Sequence, residues 1–486
     1  MIFEIVKKEI RVNLTSPKVV ITYVVCVILI LAALITGAMS YLSLKEEAVA
    51  QAAAEKDRLR SVFNYQMDFM VNGIYLYREP DVLSVLVSGV EGDAARRGRI
   101  TFYTGSNFDV SKYNSTPILA IFGMLDLSFI VKVILSLFAI LFTFDAISGE
   151  KEQGTLKLNF ANRLKRGSYI VGKLIGNFIL LLIPFVLPLI LGLLIVEFTP
   201  GIDFSGDDWI RILLIALAFV LYLLVFYSMG MMVSALTKRP VVSFLILLML
   251  WVFFTSVVPR VAVLTAQTLE PVPPLDEVRK EYFSEFGSSQ EAFMNSVRGK
   301  VEELFESFRT AMNSPDGMRN MQQKQQEMLQ GIQEAHDVFA REMSERGSQI
   351  SREQEMKQDR QNQLAITLSR LTSPVAALDF AVDRLAKTGV YSSDEQFRDS
   401  VDDYVKSYTD YARDFLNKRP DLLSGGQGIS MEKLDLSEVY PDRSFYVAEP
   451  LGESVEASIW DFAILALTAA VFLAVAVVAF LRYDVR

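Results

Sequence analysis

The sequence has very little of the chemistry on which most enzyme sites depend. Among its 486 residues there is one cysteine, Cys26, and one histidine, His336. A single cysteine excludes an intrachain disulfide, and neither residue has companions that would complete a metal or nucleophilic site. A phosphate-binding Gly-x-x-x-x-Gly-Lys-Ser/Thr loop is also missing. These absences predict that the chain is not itself an enzyme and carries no cofactor and no metal.

An excess of positive charge is lacking too. The chain has 48 Lys and Arg against 57 Asp and Glu, and its net charge of −9 argues against general binding of nucleic acid. Apolar residues, in contrast, make up 51% of the chain. They are concentrated in runs of about 20 residues, the length that a helix needs to cross a bilayer. We therefore predict an all-α membrane protein with six transmembrane helices at residues 18–42, 118–144, 169–198, 209–236, 241–264 and 458–481.

Lys and Arg collect in the short loops on one side of this predicted bundle. They are Lys7, Lys8, Arg11 and Lys18 before span one, several residues of 151–166, Lys238 and Arg239, and Arg482 and Arg486 at the end. The short loop on the other side, residues 199–208, has none and carries three aspartates. Because positive loops stay in the cytoplasm, both termini are predicted to be cytoplasmic, in a multi-pass protein of the cell membrane.

The remaining segments lie outside the spans. Residues 1–17 place apolar side chains on one side, which predicts a helix in the cytoplasmic membrane interface; a disordered tail is the alternative. Residues 43–117 form a first extracytoplasmic segment, which we expect to begin as a helical extension of span one. Its later part, with several glycines and Pro117, is expected to be looser.

Residues 265–457 predict a large, mainly helical extracytoplasmic domain. A helix from Asp276 to Met312 is followed by Pro315 and a long polar helix from Gly317 to Leu371, as in a helical hairpin or coiled coil. The pair is either a spacer or dimer contact, or a site for a substrate or an extracytoplasmic partner. Two shorter amphipathic stretches, Val375–Lys387 and Asp394–Lys418, are expected to pack onto it.

Residues 145–168, between spans two and three, contain the candidate functional residues. These are Glu150, Glu152, Gly154, Thr155, Leu156 and Arg163. Gly154 permits a sharp bend, Thr155 can cap a following helix, and Leu156 can anchor it against a partner or the bilayer interface. Glu150 and Glu152 are expected to face a partner or the neighbouring basic residues. By chemistry alone, any charged cytoplasmic loop shares these features.

A resemblance to a known family indicates what this charged loop does. The run Phe144-Asp145-Ala146-Ile147-Ser148-Gly149-Glu150, with Glu152, Gly154-Thr155-Leu156 and a later Gly172-Lys173, resembles the coupling segment of type-2 ABC-exporter permeases. The resemblance implies a permease that pairs with a second copy or a related permease and with two cytoplasmic ABC ATPase subunits. The candidate residues would then receive the motion of the ATPase. Ala161-Asn162-Arg163 departs from the family, which often has a proline there.

Two further motifs bear on this assignment. Ser373-Pro374-Val375-Ala376-Ala377 and Leu385-Ala386-Lys387-Thr388-Gly389 resemble a bacterial subfamily with a large insertion between spans five and six. Leu423-Ser424-Gly425-Gly426-Gln427 spells the signature motif of ABC ATPases. We interpret it as a chance match, because the phosphate-binding loop is missing and the topology places these residues outside the cell.

Two ionisable residues of span two are candidates for the path or for a subunit contact. They are Asp126 and Lys132. Six residues apart on a helix they differ by about 240°, so each needs another partner, and Asp126 is only interfacial if the span begins after it. Gly172 and Gly176 have the spacing that permits close helix packing. A membrane-anchored scaffold or sensor with no transport remains the rival to a permease.

Overall fold

The computed structural model describes most of the chain. The described residues are 2–14, 16–60, 72–90, 96–101, 105–108, 126–156, 165–311, 317–389, 396–418, 437 and 449–483. The Leu423–Gln427 motif and residues 161–163 lie outside these ranges. Two compact units are present, residues 1–259 with 370–486 and residues 260–369, and each is described by itself.

Six helices are long and apolar enough to cross a membrane, which confirms the predicted fold class. They run over Pro17–Leu59 (α2), Leu127–Glu152, Arg166–Glu197 (α5), Gly206–Leu236 (α6), Pro240–Leu269 (α7) and Leu451–Arg482 (α12). Within the second of these, residues 127–143 form α3 and Ser148–Glu152 form α4. The N-terminal helix α1 covers Ile2–Leu14. Span one continues as helix to Leu59, well beyond the apolar run.

Local capping explains where several of these helices begin. Ser205 and Asp208 form a reciprocal capping box at the start of α6, in which the Asp208 carboxylate accepts the Ser205 N–H at 2.9 Å. Proline occupies the first turn of α2 and α7, where its missing N–H costs nothing. Spans two and five each contain a π-helical segment, Ile130–Leu135 and Phe253–Val257.

A small antiparallel sheet follows span one and was not anticipated. Its strands, in the order β1-β2-β3, are Ile74–Tyr77, Arg97–Thr101 and Gly105–Phe108. Helix α11 (Gln396–Lys418) packs on β2 and β3. A Cβ at Gly98 would lie 3.1 Å from the Val401 side chain, so the strand approaches the helix closely because it has glycine there.

The short helix α10 (Pro374–Leu385) occupies an unexpected place. It packs against α6 and α12 within the membrane unit, and α11 packs on the sheet, so the expectation that both cover the long helical pair was wrong. The reason is that α10 is apolar on more than one face, and such a helix is buried on several sides. Its buried residues are Pro374, Val375, Ala376, Ala377, Leu378, Ala381, Val382 and Leu385.

The predicted helical hairpin is formed by α8 (Leu275–Ala311) and α9 (Gly317–Thr372), and it lies in the second unit up to Ser369. The Phe293 and Phe339 rings stack with centroids 5.3 Å apart. Arg346 Nε lies 2.8 Å from the Glu285 carboxylate. Positions later in α8 therefore meet positions earlier in α9, as antiparallel packing requires. The prediction of two long helices separated near Pro315 is confirmed.

Candidate functional site

The segment after span two is built by contacts with span four. We call the face at which span two ends and span one begins the terminal face. Here the Ser234 hydroxyl of α6 accepts the N–H groups of Ile147 and Ser148 at 3.0 and 3.1 Å. It also donates to the Phe144 carbonyl at 3.1 Å. One serine thus supplies partners for the backbone where span two ends and α4 begins.

Lysine side chains hold the same segment to its neighbours. The Lys151 ammonium donates to the carbonyl oxygens of Ala235 and Thr237 at the end of α6, the latter at 3.0 Å. A cation at a helix C-terminus interacts favourably with the helix dipole. Lys18, at the start of span one, lies 2.5 Å from Asp145 on the surface. The turn between α3 and α4 is therefore fastened to spans one and four.

Glu150 points into the protein. Its carboxylate accepts the Tyr169 hydroxyl at 2.7 Å and the Lys173 ammonium at 2.5 Å, both from the first turns of α5. The Lys173 side chain is only 6% exposed and that of Glu150 is 21% exposed. Burial makes the two charges depend on each other, because a lone ion there would be poorly solvated. Glu150 therefore connects α4 rigidly to span three.

The polar contacts of Glu150 and Lys173 continue into the N-terminal helix α1. Lys173 Nζ also lies 3.9 Å from the Glu9 carboxylate of α1, and Glu9 is 9% exposed. The Asn13 side chain donates to Glu9 at 3.4 Å and to the Asn177 side chain at 3.3 Å. Four polar side chains thus extend the contact of Glu150 along the boundary between α1 and α5.

Gly172 and Gly176 of span three are the reason that α1 comes so close. A Cβ at Gly172 would lie 2.8 Å from the Ile5 side chain, and one at Gly176 would lie 3.0 Å from Glu9 Cβ. Neither position has room for a side chain without displacing α1. The small-residue spacing noted in the sequence therefore serves packing between α5 and the interfacial helix.

The other candidate residues have different surroundings. Glu152 is exposed, and Gly154 has a φ of 71°, in the left-handed region that glycine adopts without strain. The Thr155 hydroxyl lies 3.4 Å from the Glu150 carbonyl, and Leu156 is 1% exposed within this chain's own core. Arg163 lies outside the described residues. The sequence pattern brought these positions together but did not distinguish the inward carboxylate from the outward one.

Asp126 and Lys132 lie at the other end of span two, on what we call the opposite face. Asp126 immediately precedes α3 and accepts the N–H groups of Phe129 and Ser88 at 2.8 and 3.0 Å. Burial raises the pKa of the Asp126 carboxyl, and the two backbone donors oppose the rise. It acts as an N-cap and does not face Lys132, as the helical period predicts.

Lys132 finds its partner far along the chain. Its ammonium lies 2.7 Å from Oδ1 of Asp379 on α10, with the two side chains 25% and 30% exposed. The Lys132 carbonyl, within the π-helical segment, accepts the Tyr222 hydroxyl of α6 at 3.0 Å. Asp379 and Tyr222 were not among the residues predicted from the sequence, in which only an ionisable residue on an otherwise apolar helix signals that such partners exist.

These features define a class of protein, a multi-pass α-helical membrane protein with a charged, tightly connected segment on the terminal face. Among the described residues no group of three or more His, Cys, Asp or Glu could hold a metal ion. The chain matches the family described as ABC-2 family transporter protein over residues 3–485, and it belongs to that family. It is thus a permease component of an ABC transporter. A search of the curated proteins found no match.

Proposed function

We propose that this chain is the membrane path of an exporter whose ATP hydrolysis takes place in separate cytoplasmic ABC ATPase subunits. The terminal face would be cytoplasmic, because the short loops on that side carry the Lys and Arg residues. The working assembly would contain a second copy or a related permease and would lie in the cell membrane. The direction of movement would be outward, towards the side of the large helical insertion.

The observation that carries the proposal is the contact of Glu150 with Lys173 and Tyr169. A force applied to α4 by an ATPase has to reach the spans without being absorbed by a loose loop. Buried, mutually dependent charges resist such slack, because separating them exposes each to a low-dielectric surrounding. Ser234 fastens the same short helix to span four. Movement of α4 would therefore move spans three and four together with α1.

The neighbouring Glu152 supplies the outer half of this arrangement. It lies two residues after Glu150, and it is exposed where Glu150 is turned inwards. We propose that Glu152 contacts the ATPase and that Glu150 transmits the contact. Gly154, Thr155, Leu156 and Arg163 would shape the segment that follows.

The test compares two variants of the full-length chain, purified with its partners from host membranes. Glu152→Arg should lose a co-purifying protein that carries a Gly-x-x-x-x-Gly-Lys-Ser/Thr loop. Glu150→Gln should retain it but lose the dependence of its ATP hydrolysis on the permease. Asp207→Arg, a charge reversal at an exposed position of the opposite face, is the matched control. Failure of the wild-type chain to recover any such ATPase would favour a membrane-anchored scaffold.

A further inference from the structure

We infer that helix α10 closes the opposite face of the membrane domain, and that its contacts with Lys132 and Phe254 must break for a passage between spans two and five to open. The inference rests on the proposed function, because it assumes that something passes. It is drawn from the way in which α10 is attached to four different spans. The attachments are strong on one side of α10 and weak on the other.

The weak side joins α10 to the π-helical segments of two spans. Asp379 meets Lys132 of span two at 2.7 Å. The Ser373 hydroxyl, which caps α10 by accepting the Ala376 N–H at 3.4 Å, donates to the Phe254 carbonyl of span five at 3.0 Å. A partly exposed ion pair contributes about 0–1 kcal/mol, and a hydrogen bond about 1 kcal/mol. This side of α10 is thus held by two contacts, and the side chains of its ion pair are more exposed than the buried carboxylates on the other side.

The strong side joins α10 to spans four and six. Arg211 of α6 is 1% exposed and donates to the Leu385 carbonyl, the Ser454 hydroxyl and the Glu449 carbonyl at 2.7 to 3.1 Å. Arg384 of α10 binds the buried Glu449 carboxylate at 2.7 Å. Removal of any of these partners would leave a buried polar group without a hydrogen bond, which raises the free energy of the folded protein.

The residues that precede α10 are attached to span six as well. Arg370 Nε lies 2.6 Å from Asp461, whose side chain is 1% exposed. Both ends of α10 are thus fastened to the span-six side of the domain. If spans two and five move apart from each other, α10 stays with spans four and six, and the Lys132 and Phe254 contacts are the ones that break.

The side chains one turn deeper than the Lys132–Asp379 ion pair are polar. A passage for a polar substrate would need such a lining. The Ser136 hydroxyl, one turn deeper than Lys132, donates to the Lys132 carbonyl at 2.5 Å. It accepts the Trp251 indole N–H of span five at 2.8 Å. Tyr222 of span four reaches the same carbonyl. π-helical segments occur frequently at functional sites, and this one presents a carbonyl with two side-chain donors.

The test measures access to Ser136 from the opposite face. In a Cys26→Ala background, Ser136→Cys is exposed to a membrane-impermeant charged thiol reagent in spheroplasts, without added ATP. Lys132→Gln or Asp379→Asn should each raise the labelling rate about fivefold, the ratio that corresponds to an ion pair of about 1 kcal/mol. The swapped variant Lys132→Asp/Asp379→Lys should return the rate to near that of the parent. Ser373→Ala removes the hydrogen bond to the Phe254 carbonyl, and it should also raise the labelling rate.

Glu285→Gln is the matched control, because it removes another partly exposed ion pair between helices, Glu285 with Arg346. It should leave labelling unchanged. Equal labelling rates in the parent and in the Lys132, Asp379 and Ser373 variants would overturn the inference, as would a swapped variant that labels as fast as the single ones. Recovery of the ATPase with unchanged labelling would reject the closure alone. Altered labelling without an ATPase would reject the proposed function alone.

Discussion

The ammonium of Lys173 lies 2.5 Å from Oε1 of Glu150, and this contact joins the start of span three to the short helix after span two. Both partners of Glu150 are buried, since the Lys173 side chain is 6% exposed and Tyr169 is 3% exposed. The pair is a buried charge and its counter-charge, so the loss of either one leaves the other badly solvated. Its energetic coupling can be measured directly.

Lys173→Met should lower the free energy of unfolding by about 2 kcal/mol, less than for a fully buried pair because water reaches part of Glu150. Glu150→Gln/Lys173→Met should lose less than the sum of the two single variants, since no unpaired charge remains. Thermal unfolding in detergent measures all three. Strict additivity would show that the two side chains do not interact energetically.

Ser234→Ala should destabilise the end of span two by about 1–3 kcal/mol, because the N–H groups of Ile147 and Ser148 lose their acceptor. Ser228→Ala is the matched control. That serine lies on the same helix, and its hydroxyl donates to the Val225 carbonyl of its own helix at 2.9 Å. Chemical denaturation should separate the two variants; similar losses would mean that the serine does not serve as a cap between helices.

Gly172→Val should displace α1 from span three, because even a Cβ would lie 2.8 Å from the Ile5 side chain. Labelling of Val6→Cys, at a position that is 9% exposed, reports the displacement in a Cys26→Ala background. We expect faster labelling in the Gly172 variant. Gly167→Val, on the same helix with no atom within 4 Å of its Cβ, should label at the parent rate. Equal rates in both would contradict the packing argument.

Gly230→Ala should disturb the contact of span four with span two. The new Cβ would lie 1.8 Å from Thr143 Oγ1, and Thr143 is fully buried. Overpacking of a core costs about 1–3 kcal/mol, and this contact is short enough to reach the upper end. Gly452→Ala, with open space around its Cβ, should be neutral or slightly stabilising by comparison. The melting temperature should fall in the Gly230 variant and not in the Gly452 variant; equal melting temperatures would contradict the prediction.

The spans and the long hairpin were predictable because their signals are local. A run of about 20 apolar residues defines a crossing helix, and spacings of three and four define a helix face. The sheet was missed for the same reason: Arg97–Thr101 reads Arg-Gly-Arg-Ile-Thr and lacks the alternation that indicates a strand. Its glycine is explained by α11, a helix some 300 residues later in the chain.

The candidate site was partly predictable. The period of a helix showed that Asp126 and Lys132 do not face each other, and the spacing of Gly172 and Gly176 indicated close packing. The partners that these residues meet, Asp379 and α1, could not be read from their own neighbourhoods. Which of Glu150 and Glu152 turns inwards was equally hidden, because both lie in one charged loop.

The sequence by itself determined that this protein has six membrane spans, a polar helical hairpin and a charged segment after span two. Hydrophobicity and helical period depend on a few neighbouring residues, so the elements that they define can be predicted from the sequence. Only the tertiary structure decided that Lys173 forms an ion pair with Glu150 and that Asp379 forms one with Lys132. A buried charge takes whichever counter-charge the packing of distant helices brings within reach, and that packing is set by the shapes of whole surfaces.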